Sequence, residues 1–351
     1  MKFQPTRLPY FVHRCLRETS RVLDAAGVNA QPVVVAVSGG GDSMALLEIV
    51  ALLAPRLGLD VHVACIDHNQ RPEAAAEVEL VRAAARRLGA TFHPRRVDPG
   101  GSDEDSLRRA RHAALEEIRL AAGARFILLG HTSDDQIETM VFRFLRGAGP
   151  GGLSGMRQAR PPLLRPLLGV PRAELRRVLE ARGVAWAEDP GNESDRYARG
   201  RLRSRLLPAI EAAFGQGALR HLLDLAPRWR DDEDFLEMET TRLLAYAVRG
   251  GRGQEVGQSI EKQSGRWIDA GALLEAHPAL RSRAIRRWMS ESSGQMVGSR
   301  EVAAVERWLA SSGGSGSLDV AGATLVGVEG RVTLEKAVLP PSQARVRFPR
   351  N

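Results

Sequence analysis

The chain has 351 residues, 43% of them hydrophobic and 26% charged, enough to bury two or three cores in an ordinary folded protein. No apolar run approaches the roughly 20 residues of a membrane span, and Cys15 and Cys65 are too far apart in sequence to form a Cys-x-x-Cys pair, which argues against a disulfide framework or a cysteine-built zinc or iron–sulfur site. The net charge of +8 points to a polyanionic partner.

The positive charge is carried almost wholly by arginine, the lysines being Lys2, Lys262 and Lys336. Arginine's planar fork suits phosphate, although a GC-rich genome gives the same bias. The first 30 residues carry Lys2, Arg7, Arg14, Arg17 and Arg21, but Pro5, Pro9 and Glu18 argue against a transit peptide. An amphipathic helix over Tyr10–Ala26, packed on the domain that follows, is the expectation, with the cytoplasm as location.

Four β–α units come next. Val33–Val37 leads into a helix over Ser43–Ala54, Val61–Ile66 into Glu73–Leu88, Thr91–Val97 into Ser106–Ala122, and Phe126–Leu129 into Asp134–Leu145. Short apolar strands alternating with longer helices imply an α/β fold, a parallel sheet wrapped by helices. Gly147–Gly155 is a breaker-rich loop, Pro161–Pro166 an extended segment, and Pro171 opens a helix to Arg182 whose Arg172, Arg176, Arg177 and Arg182 read as a solvated stripe. Beyond Phe214 the pattern turns helical over Ala218–Val248, then passes a polar linker at Gly250–Ser264. Helices near His277–Ser290 and Arg300–Ser311 precede short strands at Ser317–Val320, Thr324–Val328 and Arg331–Leu334, and the tail is basic. Trp229, Trp267, Trp288 and Trp308 read as core rather than base-stacking platforms.

Two segments carry chemistry. In Ser38-Gly39-Gly40-Gly41-Asp42-Ser43 a β-branched strand feeds glycines, then a hydroxyl and a carboxylate at a helix mouth. Glycines let the backbone approach phosphate oxygens, and the first helical N–H groups face the anion. The segment lacks the Gly-Lys-Ser/Thr ending of a Walker loop and does not fit Gly-x-Gly-x-x-Gly. The second segment, Gly130-His131-Thr132-Ser133-Asp134-Asp135-Gln136-Ile137-Glu138-Thr139, follows the fourth strand. Asp135 and Glu138 share one helical face, and such a carboxylate pair can hold an ammonium group.

The first segment resembles the PP-loop of the ATP pyrophosphatases. Together with Asp67-His68, Arg71, Arg108, Arg111, His131, Asp135, Glu138, Arg146–Leu153, Asp189–Asn192 and Arg199–Arg203, it makes residues 30–210 similar to the tRNA(Ile)-lysidine synthases of that family. The resemblance implies an adenine nucleotide α-hydrolase-like fold, followed by a helical domain and a small β-containing module. The corresponding divisions are an N-terminal helix at 1–30, a catalytic domain at 31–214, a helical tRNA-binding domain at 215–298 and an α+β module with a basic tail at 299–351.

It also implies the reaction: ATP adenylates the wobble cytidine of a tRNA(Ile) with a CAU anticodon, and free lysine displaces AMP. By the same resemblance Ser38, Gly39, Gly40, Gly41, Asp42, Ser43, Arg111 and His131 bind ATP, and Asp42 helps place Mg²⁺. Asp135 and Glu138 grip the lysine amine, one of them doubling as base. Asp42, Asp135 and Glu138 are the catalytic candidates. The basic run Arg196, Arg199, Arg201, Arg203 and Arg205 is the candidate tRNA contact, with members one helical turn apart. The rivals are a thiolase-type PP-loop enzyme and a non-catalytic tRNA-binding relative. Asn69-Gln70, Gly191 and Gly200 depart from the residues usual in the family at those places.

Overall fold

The computed structural model describes residues 9–67, 74–97, 104–188, 198–249, 267–320 and 322–336, in two compact units, Met1–Trp229 and Arg230–Asn351. His68, Asn69, Gln70, Arg71, Asp189–Asn192 and Arg196 lie outside the described residues, as does the expected linker at 250–264.

In the first unit, strands β1 (Pro32–Ala36), β2 (Asp60–Asp67), β3 (Thr91–Arg96), β4 (Ile127–Leu128), β5 (Ala159–Arg160) and β6 (Leu163–Leu164) form a sheet ordered β3-β2-β1-β4-β6-β5. Every pairing is parallel except β5 with β6. The sheet is covered on both faces, as its near-continuous apolar strands require. Val33, Val35 and Val37 point to a core shared with α1 (Tyr10–Ala25), α2 (Gly41–Leu57), α3 (Ala74–Leu88) and α7 (Arg172–Arg182). Val34, one residue out of phase, packs with Leu115 and Ile118 of α4 (Glu104–Ala121) on the other face. Each fully buried Val or Leu side chain here contributes on the order of 1.5–3 kcal/mol.

Helix α2 explains how the site is held. Met44, Ala45, Leu46, Leu47, Ile49 and Val50 are all buried, so α2 is central rather than amphipathic. Glu48 is buried among them and is neutralised by Arg87 of α3 and by Arg182 of α7, whose Nε lies 2.7 Å away. The helix stops at Gly58, which takes the left-handed φ of 63°.

The α/β expectation holds, with strand and helix bounds shifted by a few residues. The breaker-rich loop contains one helical turn, α6 (Pro150–Leu153), between α5 (Ser133–Leu145) and β5. The arginine stripe on α7 is solvated only in its middle. Arg176 and Arg177 are exposed, while Arg182 turns to Glu48 and Arg172 to the site described below. The basic run also departs from expectation. After α8 (Ala198–Arg201) the chain makes a π turn at Leu202–Leu206 before α9 (Leu207–Phe214). The wider turn breaks the four-residue register by which the arginines were to share faces.

Helix α10 (His221–Ala247) leads into the second unit, an antiparallel sheet ordered β7-β8-β11-β10-β9. Its strands are β7 (Val248–Arg249), β8 (Trp267–Asp269), β9 (Gly316–Val320), β10 (Ala323–Val328) and β11 (Arg331–Lys336), and its helices α11 (Ala270–Glu275), α12 (Pro278–Ser293) and α13 (Ser299–Ser312). Trp288 is buried in this core and Trp308 packs against it. Among the described residues, no helix is long and apolar enough to cross a membrane.

Candidate functional site

The carboxyl edge of the parallel sheet carries the site, as expected where β–α loops converge. After β1 the backbone turns at Gly39, φ 90°, and α2 begins with Gly40 as its N-cap, which offers no side-chain cap. The first N–H groups of α2 are therefore available to an anion. Ser43 shapes the loop: its hydroxyl donates to the Gly40 carbonyl at 2.8 Å and accepts the Ser38 N–H at 3.1 Å. The segment after α7 flanks the loop, Ala187 N–H donating to the Gly39 carbonyl at 2.9 Å. A Cβ on Gly41 would come within 3.3 Å of the Trp186 ring.

Gly130, at the end of β4, is where the second segment meets the first. A Cβ there would lie 3.0 Å from the Asp42 carbonyl oxygen and 3.1 Å from Ser43 Cα. Glycine thus brings the two chemistry-bearing segments into backbone contact. Helix α5 then opens with a capping box. Thr132 Oγ1 accepts the Asp135 N–H at 3.3 Å, and Asp135 Oδ2 accepts the Thr132 N–H at 2.8 Å. This locks one oxygen of Asp135 and leaves Oδ1 facing the site. The Thr-x-x-Asp spacing was readable in the sequence.

Arg172, the first residue of α7, connects the acidic groups. Its Nε lies 2.9 Å from Asp42 Oδ2, its Nη2 2.9 Å from Asp135 Oδ1, and its Nη1 3.9 Å from Glu138 Oε1. Its backbone N–H donates to Asp134 Oδ2 at 2.9 Å. Glu138, one turn further along α5, also receives Arg203, whose Nε and Nη2 approach its oxygens at 2.6 and 2.7 Å. Arg203 is placed there by its neighbour Leu202, which is buried against Val141 of α5. Asp42, Asp135 and Glu138 are thereby brought into one network. Arg172 and Asp134 were not foreseen as members, and only the Pro171-Arg172 helix start hinted at the first.

The electrostatics follow from this packing. Burial pushes the Asp42 carboxyl above its ordinary range; Asp135 and Asp134 add to the rise, and Arg172 opposes it. Burial works against the charge of Arg172, yet Asp42, Asp135 and Asp134 hold its pKa above the usual arginine value. His131 is pushed down to about 4, mainly by burial, with Arg165, Arg111 and Arg108 adding to the effect against Asp135. It is a neutral imidazole at pH 7. Arg111, on α4, is held below its ordinary value by the protein around it and then by Arg108. Among the remaining arginines of the basic run, Arg199 stacks over Phe142, 5.3 Å from the ring centroid.

A family model for a PP-loop domain matches residues 13–210, and the sheet, glycine loop and uncapped helix define the class: a PP-loop enzyme. A second model, for the TilS substrate binding domain, matches residues 269–333. The tRNA(Ile)-lysidine synthase of Salinispora arenicola (strain CNS-205) is 37% identical over 289 residues, covering 80% of this chain and 81% of that protein. That of Mycobacterium tuberculosis (strain ATCC 25618 / H37Rv) is 35% identical over 297 residues, covering 84% and 85%. Within the PP-loop class, this chain belongs to the tRNA(Ile)-lysidine synthase family of ATP-using ligases. Among solved structures, the U34-tRNA thiolase NcsA from Methanococcus maripaludis superposes with a TM-score of 0.53 at 14% identity, covering 62% of this chain and 79% of that one. That likeness is one of fold alone.

Proposed function

We propose that this chain ligates free lysine to C2 of the wobble cytidine of tRNA(Ile) bearing a CAU anticodon. ATP first adenylates the cytidine O2 and releases pyrophosphate; the lysine amine then displaces AMP. The observation that carries this reading is Arg172, which ties Asp42 at the glycine loop to Asp135 and Glu138, so that a polyphosphate cradle and an amine-binding carboxylate pair adjoin.

The residues divide the work as follows. The glycine loop and the first N–H groups of α2 receive the departing pyrophosphate, where negative charge develops. Arg111 and neutral His131 line the nucleotide on the neighbouring strand end. Asp42 fits Mg²⁺ through Oδ1, a hard oxygen donor, since Arg172 takes Oδ2. When bound, that ion supplies charge neutralisation for the triphosphate.

Asp135 and Glu138 hold the lysine amine. Carboxylates alone would keep it as an unreactive ammonium, whose ordinary pKa is near ~10.4. Arg172 and Arg203 already share the same oxygens, so the local potential is less negative and the free amine is more accessible. One of the two carboxylates takes the proton as the bond forms. The second unit, Arg199, Arg201 and Arg205 engage the tRNA, and the enzyme works in the cytoplasm.

Sulfur transfer, the rival chemistry, finds poor thiols here. Cys15 and Cys65 are buried in the core, and burial pushes each thiol up to about 11. The test incubates the protein with ATP, Mg²⁺, labelled lysine and the tRNA. Label enters the tRNA with wild type, whereas Asp135→Asn and Glu138→Gln lose label transfer by about 100-fold or more while still releasing pyrophosphate, a loss of the size expected for removed acid–base groups. Wild-type protein that folds but transfers no lysine refutes the reading.

A further inference from the structure

Along the carboxyl edge of the sheet, beyond β4, lies a group of basic side chains, of which Arg108, His112 and Arg165 have no part in the reaction above. Arg165 follows β6 directly, His131 follows β4, and Arg108, Arg111 and His112 lie on α4. Arg165 is 8% exposed; it donates from Nη1 to the Arg157 carbonyl at 3.0 Å, and its buried Nε has no partner. The buried Nδ1 of His131 likewise has none. Arg108 is exposed, and neither it nor Arg111 pairs with a carboxylate among the described residues.

These groups repel one another. Arg165 is held below its ordinary value by burial and then by Arg108 and Arg160; His112 by burial and then by Arg111, Arg108 and Arg165. Arg143 shows the same pattern, with burial first and then Arg199 and Arg108. A buried guanidinium crowded by like charge and lacking an acid is costly unless an anion compensates it. Guanidinium groups in this state are what phosphate recognition requires.

In the proposed reaction the glycine loop at β1 takes the polyphosphate. Since β4 lies between β1 and β6, Arg165 sits two strand spacings, about 10 Å, further along the edge. We propose that Arg108 and Arg165 form a second phosphate site, which takes a backbone phosphate of the RNA substrate beside the nucleotide being modified. The inference rests on tRNA being the substrate. Such a contact fixes position rather than sequence.

The test measures binding of a tRNA(Ile) transcript with a CAU anticodon by fluorescence anisotropy, without ATP or lysine, across a salt series. Loss of one phosphate contact lowers the salt slope of log K by about 0.7–0.9, which is roughly a sixfold loss of affinity at about 0.1 M salt. Arg108→Gln, an exposed change that leaves the core intact, shows this loss while MgATP affinity, measured by calorimetry, is unchanged. Arg165→Gln does the same, and Arg165→Lys, which keeps the charge, restores most of the slope. Wild-type slope and affinity in both Gln variants overturn the proposal. So does a fall in MgATP affinity with an unchanged tRNA slope, because the cations then serve the triphosphate. Wild-type protein that binds no tRNA overturns instead the reading on which the proposal rests, and it does so before any variant is compared.

Discussion

Arg172→Gln removes the guanidinium that joins α2 to α5 and leaves Asp42 and Asp135 without their common partner. Each lost contact is 2.9 Å long, and the side chains of Arg172, Asp42 and Asp135 are 23%, 24% and 20% exposed. Breaking a fully buried pair costs about 3–5 kcal/mol and an exposed one under about 1. At this partial burial about 1.5 kcal/mol per contact is reasonable, or about 3 kcal/mol in all. For a unit of this size that is a fall in Tm of roughly 6–12 °C.

The assay is a thermal melt of wild type, Arg172→Gln, Asp135→Asn and the double variant. Because Asp135→Asn removes the group left stranded, it costs less in the Arg172→Gln background than alone, giving a coupling energy of about 1 kcal/mol or more. The deficit of Arg172→Gln also shrinks as pH falls. Asp42, already above its ordinary value through burial, rises further without its guanidinium, and a raised carboxyl destabilises only at pH values where the unfolded chain is ionised. A melt within about 1 °C of wild type, with zero coupling, refutes the energetic role assigned to these pairs.

Gly130→Ala places a Cβ against backbone atoms of Asp42 and Ser43 that cannot rotate away, at 3.0–3.1 Å. A cost of about 1–3 kcal/mol is expected, together with a raised KM for ATP and a smaller effect on KM for lysine, measured by steady-state kinetics. His131 gives a pH signature. Its folded pKa of about 4 lies below the unfolded value, so the unfolded chain binds the extra proton first as pH falls. Stability is therefore lost between about pH 6.5 and 4, by up to about 3 kcal/mol. Denaturant titrations of His131→Gln against wild type over that range isolate this contribution as a shallower pH dependence.

What the sequence made legible was local. A strand, three glycines and a helix are contiguous, so Ser38–Ser43 announced its anion geometry without tertiary information. The Thr132–Asp135 capping box is equally local, although it was not foreseen. The π turn is not local, because nothing in Leu202–Leu206 distinguishes it from an α-helical run; packing of Leu202 on Val141 selects it. Arg172 is harder still. Its neighbours Arg176 and Arg177 are ordinary surface arginines, and only the meeting of α2, α5 and α7 shows that the helix start faces carboxylates about 30 to 130 residues away in sequence.

The identity of the resident cation then has a chemical reason. The proposed reaction brings a primary amine up to an electrophilic carbon activated by adenylation, beside carboxylates that orient it and take its proton. A lysine in place of Arg172 would present the enzyme's own amine to the same carboxylates, with a pKa that burial can lower toward neutrality. It would compete with the substrate as nucleophile. Arginine neutralises and spaces Asp42, Asp135 and Glu138 with a fixed planar fork, and it does not release a lone pair at any pH the fold survives. Arg203 meets the same condition at Glu138. On the proposed reaction, a site that uses one amine is thus held together by cations that cannot act as amines.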